Sequence, residues 1–195
     1  MIPIYLVRHG QTEWSLSGQH TGRIDIPLTP IGEEEARVCG RRLEKMEFAN
    51  VWTSPLQRAR RTCELAGFAA QAHLEPDLME WNYGDYEGLL IEEIRKKRPD
   101  WNVFEHGCPG GESPEQVSAR ADRVIALLRG IQGKTIIFSH GHFLRSLAVR
   151  FLGLPIQMGQ SFALGTGAIS ILGYKQTPQE RSTMVLWNSG PTLPR

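Results

Sequence analysis

Arg8, His9 and Gly10 stand together where an apolar run, residues 2–7 (IPIYLV), gives out. A histidine at the end of a buried strand, with an arginine before it and a glycine after it, has the makings of a nucleophile facing an anion. The glycine lets the backbone turn closely, and ligands of open α/β sheets bind beyond the carboxyl ends of strands. Two further segments repeat the arrangement. NVWT (50–53) runs into Ser54-Pro55 and then Arg58, and TIIF (135–138) runs into Ser139-His140. Two histidines, two arginines and helix N-termini at one sheet edge would hold a dianionic phosphate without a metal. Terminal N–H groups and guanidinium forks both favour phosphate oxygens.

The elements that must position these residues alternate between strand and helix. After strand 2–7, a loop rich in Gly, Ser and Thr extends to about Leu28. Thr29-Pro30 then opens a helix, with Thr as N-cap and Pro at the first helical position. Glu33, Glu34 and Glu35 lie in its early turns, and Arg41, Arg42 and Lys45 near its end, as the helix dipole favours. Ser54-Pro55 repeats the cap-then-proline signal and predicts a helix from there to about Gly67. A strand-like piece follows at 72–75. Segment 79–112 is irregular, with one short helix near 91–98. Ser113 and Gln116 form a capping box. Val117, Ala121, Val124, Leu128 and Ile131 then mark one apolar helical face. A helix from His140 to about Leu152 and strands at 168–173 and 182–187 complete the pattern, and the tail from Asn188 is expected to be loose. Strands separated by helices predict an α/β layered fold with a mainly parallel sheet. We expect one domain over 1–195, with an irregular, substrate-facing segment at about 81–112.

Composition narrows the partners. The net charge of +1 gives no bulk attraction to nucleic acid or an anionic membrane. No apolar stretch reaches membrane-spanning length, and the N-terminus lacks a signal-peptide pattern. Cys39, Cys63 and Cys108 are odd in number with no C-x-x-C, which fits reduced thiols and predicts a cytoplasmic location. His140 and His142 make an H-x-H pair, but no carboxylate or Cys cluster completes a metal site. No phosphate-binding P-loop and no G-x-G-x-x-G after a strand is present, which argues against a nucleotide site.

The chain resembles the histidine phosphatase superfamily in its phosphoglycerate-mutase-like branch. The matching pieces are RHGQTEW (8–14), TGRIDIPLTPIGEEEA (21–36), TSPLQRARRT (53–62), LMEWNYGDYEG (78–88), GES (111–113) and SHGHFLR (139–145). The W-x-Y-G-x-Y-E-G run and the loop ending in GES look most like acid-phosphatase and sedoheptulose-bisphosphatase types. The resemblance implies a three-layer sandwich and a set of roles. His9 would attack phosphorus and form a phosphohistidine. Arg8, Arg58 and His140 would clamp the phosphoryl oxygens. Glu80, which nothing else in the sequence singles out, would protonate the leaving alkoxide and then activate water. Thr12, Thr21 and Gly22 would close the phosphate pocket. Ser15 stands where mutases of the family carry Asn.

Physical chemistry bears on these roles. His9 must be neutral to attack, and adjacent arginines disfavour an imidazolium. Apolar Trp81 and Leu78 would help Glu80 hold a proton and the negative phosphate would help more; the need for that proton predicts best activity at mildly acidic pH. Trp81, Tyr83 and Tyr86 fit two readings, a substrate wall or a staple of the irregular segment to the core; Tyr83 is the one assigned to substrate binding. Trp81, Tyr83, Trp101 and Phe104 are expected to form an aromatic rim. His20, His73 and His106 read as surface or loop residues. Where mutases place Arg and Lys, this chain has Trp81 and Ile91, which favours hydrolysis over mutase transfer. A dedicated sugar bisphosphatase and a catalytically silent binding module are the other readings. The expected partner is a small phosphorylated metabolite, no cofactor is expected, and a homo-oligomer is compatible with the sequence.

Overall fold

The computed structural model describes residues 2–174 and 182–191. Six strands share one sheet: β1 (Ile2–Arg8), β2 (Asn50–Thr53), β3 (Ala72–Leu74), β4 (Thr135–Ser139), β5 (Ile169–Tyr174) and β6 (Ser182–Ser189). Their order is β3-β2-β4-β1-β5-β6. The first four in that order run parallel, while β5 is antiparallel to β1 and to β6. The helices are α1 (Glu13–Ser17), α2 (Pro30–Leu43), α3 (Gln57–Leu65), α4 (Ile91–Lys97), α5 (Val103–His106), α6 (Pro114–Gly130) and α7 (Gly141–Phe151).

Strand alternation builds the layers. From β1, Ile4 and Leu6 enter a core shared with α6 and α7, through Val117, Val124, Phe143 and Leu147. Tyr5 and Val7 enter a second core shared with α2 and α3, through Cys39, Leu43 and Cys63. The sheet is thus the middle of three layers. The chain leaves β1 towards α2 on one face and leaves β4 towards α7 on the other. Since β1 and β4 are neighbours, a crevice opens between their carboxyl ends, the place where doubly wound sheets bind ligands.

Register makes the three strand ends flush. Arg8 pairs with Ser139, and Thr53 pairs with Phe138. The residues just beyond, His9, Ser54 and His140, therefore come out side by side.

Local signals explain most helix starts. Thr29 Oγ1 accepts from Gly32 N at 3.0 Å, and Ser113 and Gln116 form the capping box at the head of α6. Ser54-Pro55 differs from expectation. α3 begins only at Gln57, and its N-cap Leu56 is extended and has no side-chain cap; the Ser54 hydroxyl takes the Leu56 N–H instead, at 3.3 Å. α2 ends at Leu43, leaving Lys45 outside it. α1 lies inside the expected loop; Thr12 and Ser15 cap it reciprocally. The tail also departs from expectation up to Ser189, which is sheet: Arg42 donates to the Ser189 and Gly190 carbonyls, each at 3.0 Å. Residues 192–195 lie outside the described residues.

The irregular segment is stapled, not loose. Trp81, Trp101 and Phe104 are fully buried in the first core. Trp81 Nε1 donates to the Glu112 carbonyl and Trp101 Nε1 to that of Gly107, both at 2.9 Å. Trp81 is therefore core and not rim, and Tyr86 packs edge-on against Trp101.

Candidate active site

The crevice between β1 and β4 opens as a cleft whose walls include Arg8, His9, Thr21, Glu80 and Tyr83. His9 follows β1 directly. Its Nδ1 lies 2.7 Å from the Gly10 carbonyl oxygen. A carbonyl only accepts, so Nδ1 carries the proton and Nε2 keeps its lone pair. The tight turn behind it requires glycine: a Cβ on Gly10 would lie 2.1 Å from the Gly32 carbonyl oxygen. Burial first, then the charges of Arg58 and Arg8, hold His9 well below the ordinary histidine range. At neutral pH it is an uncharged imidazole.

His140 ends β4 and heads α7, 5.2 Å from His9 between ring centroids. Its Nε2 is 2.8 Å from Ser54 Oγ. Ser54 Oγ accepts from Leu56 N at 3.3 Å, so its own hydrogen is free for Nε2, which puts the proton of the neutral ring on Nδ1. That Nδ1 is buried without a partner among the described residues. Burial, then Arg58, pushes this ring far down as well.

Arg8 and Arg58 bring fixed positive charge. Arg8 donates through Nη1 to the Leu164 carbonyl. Arg58, fully buried, donates to the carbonyls of Thr21 and Gly22 through Nη2, at 3.2 and 2.8 Å. Its Nη1 donates to that of Ile24 at 3.2 Å. The Nε of each arginine is buried without a partner among the described residues. Burial lowers both, yet a guanidinium stays charged throughout the working range.

Glu80 sits across the cleft on the N-terminus of α7. One carboxylate oxygen accepts from Trp81 N and Phe143 N at 2.9 and 2.8 Å, and the other from His142 N at 3.0 Å. Its carboxyl group thus faces N–H donors, where an apolar setting made by Trp81 and Leu78 was expected.

Two expected phosphate contacts are otherwise engaged. Thr12 Oγ1 accepts from Ser15 N as the cap of α1. Gly22 is held by the Glu87 carboxylate through its N–H and by Arg58 through its carbonyl. Neither is part of the cleft wall, nor are the buried Arg58 and His140, while Thr21 is.

Several wall residues escaped the sequence reading. His20, which reads as a surface or loop residue in the phosphate-adjacent loop, lines the cleft together with His142 and Arg145. Tyr83 Oη lies 2.5 Å from His142 Nδ1, and His142 stacks on His20. Burial raises Tyr83 and lowers His142, so this pair is neutral. His142 and Arg145 are three residues apart on α7, a spacing that places them on one helical face. Beside the cleft, a second hollow is lined by Trp101, Phe104 and Arg95 and shares His20, His142 and Arg145 with it.

Comparison with known proteins gives the family of the chain. A family model described as the histidine phosphatase superfamily (branch 1) matches residues 4–189. An acid phosphatase of Mycobacterium tuberculosis is 40% identical over 187 residues, covering 94% of this chain and 92% of that protein. Sedoheptulose 1,7-bisphosphatase of Saccharomyces cerevisiae is 38% identical over 185 residues, covering 78% of this chain and 68% of that protein. A solved structure of an open-reading-frame product of Mycobacterium tuberculosis superposes with a TM-score of 0.91 at 37% identity, over 97% of this chain and 98% of that one.

Proposed function

The chain belongs to the histidine phosphatase superfamily (branch 1), and from that premise we propose that it hydrolyses phosphate monoesters of small metabolites through a phosphohistidine on His9. The observation that carries the reading is the state of His9. It is neutral, its Nδ1 proton is held by the Gly10 carbonyl, and its ring lies in a cleft walled by Arg8 and Glu80.

The steps follow from the groups present. His9 Nε2 attacks phosphorus, an N–P bond forms, and the P–O bond to the leaving alkoxide breaks. Charge on the phosphoryl oxygens meets Arg8, Arg58 and the Nδ1–H of His140, the tautomer in which Nε2 accepts from the Ser54 hydroxyl. Glu80 gives a proton to the departing oxygen, then takes one from the water that cleaves the N–P bond. Inorganic phosphate leaves and His9 returns to its neutral form. Relatives named acid phosphatase and sedoheptulose 1,7-bisphosphatase support a small phosphorylated metabolite as substrate.

The test is phosphate release in EDTA from p-nitrophenyl phosphate, 3-phosphoglycerate, fructose 1,6-bisphosphate and sedoheptulose 1,7-bisphosphate. Release is expected, with His9→Ala slower by at least about 10³-fold. Label from a ³²P-ester should be trapped on wild-type protein in an acid-labile, base-stable form. Transfer primed by a bisphosphoglycerate without net release would replace hydrolysis with mutase chemistry.

A further inference from the structure

The run Tyr86-Glu87-Gly88 has no part in the steps above, yet Glu87 is tied to the site by a short chain of bonds. Its carboxylate accepts from three consecutive backbone N–H groups, those of Gly22, Arg23 and Ile24, at 3.2, 2.7 and 3.4 Å. Successive N–H groups converging on one anion form a nest. The opposite side of the same turn faces Arg58, whose guanidinium is bonded to the carbonyls of Thr21, Gly22 and Ile24.

Two peptide groups therefore have both ends engaged. The units joining Thr21 to Gly22 and Gly22 to Arg23 each point N–H at Glu87 and C=O at Arg58. A trans peptide directs these groups oppositely, so each unit is a fixed dipole between a negative and a positive charge. Gly22 admits the approach: a Cβ there would lie 2.1 Å from a Glu87 carboxylate oxygen. Flanking backbone bonds hold the two segments in register, from His20 N to the Leu89 carbonyl and from Gly88 N to the His20 carbonyl, at 3.0 and 2.9 Å. Glu87 itself is not part of the cleft wall.

We propose that Glu87 is a positioning residue, which fixes the 21–24 turn so that its carbonyls aim the Arg58 guanidinium at the phosphoryl group. This rests on the phosphatase reading only for the role of Arg58. A glutamine at 87 keeps the size but loses the charge and one acceptor, so it cannot satisfy all three donors. An aspartate keeps the charge and both oxygens with a shorter reach.

The experiment is a double-mutant cycle between Glu87→Gln and Arg58→Ala, read by kcat/KM and by calorimetric binding of inorganic phosphate. Phosphate binding keeps the outcome separate from failure of the hydrolase reading. Glu87→Gln is expected to weaken both about 10-fold in the wild-type background and less than about 2-fold when Arg58 is already absent. Glu87→Asp should recover part of the loss, and it replaces Glu87→Gln in the cycle if the latter does not fold by circular dichroism. Equal losses in the two backgrounds, or wild-type behaviour of Glu87→Gln, would overturn the proposal.

Discussion

Ser54 shows how one side chain can leave a common local role for a chemical one. Placed before a proline it has the pattern of a helix cap; its hydroxyl takes the Leu56 N–H ahead of α3 and also meets His140 Nε2. That contact fixes the ring, and on the mechanism proposed above it leaves Nδ1–H for the phosphoryl group. Ser54→Ala should lower kcat/KM about 10-fold, the loss of one buried hydrogen bond, with the melting temperature little changed; steady-state kinetics beside a thermal melt checks it. The protonation state of His9 is equally specific. Burial and Arg58 keep it neutral below the ordinary histidine range, so kcat should not fall as pH is lowered from 7.5 to 6.5. A kcat–pH profile decreasing towards acid with a midpoint near 6.5 would show a nucleophile that titrates as if exposed.

Elements, by contrast, were mostly legible from local pattern. The apolar runs 2–7 and 135–138, the caps Thr29 and Ser113 and the four-and-three spacing of α6 all correspond to what the chain forms. Their signals are local, and local hydrogen bonds satisfy them. What the pattern could not carry was distant. The Arg42 contacts that hold the end of β6 cross most of the chain, and the burial of Trp81 and Trp101 depends on a core assembled from α6 and α7. The site divides the same way. As candidates, His9 and His140 directly follow strands and Arg58 lies in the first turn of α3, so position alone singles them out. Glu80 came only through resemblance, and His20 needed the three-dimensional cleft. Thr29→Ala should remove one N-terminal bond of α2 and cost about 1 kcal/mol, measured as a fall of about 2–4 °C in the melting temperature. Trp101→Ala, emptying a fully buried site, should cost about 3–5 kcal/mol in a denaturant titration.

The whole molecule carries the sum of its buried histidines. His9, His140 and His142 are all held well below their ordinary range, chiefly by burial. In the unfolded chain each takes up a proton near pH 6.5, while in the folded one it stays neutral to lower pH. The unfolded state therefore binds more protons, and stability is lost as pH falls below 6.5. Each histidine adds up to about 1.4 kcal/mol per pH unit. Urea midpoints at pH 7.5 and 5.5 should differ in that direction, and the triple removal of these rings should flatten the difference. The unpartnered Nε atoms of Arg8 and Arg58 and the Nδ1 of His140 have a kinetic meaning too. On the mechanism proposed above, donors that grip a phosphoryl group in flight also grip the inorganic phosphate it becomes. In a phosphate-rich solution the resting protein is then its own product complex, and the pace of turnover passes from bond breaking to letting go.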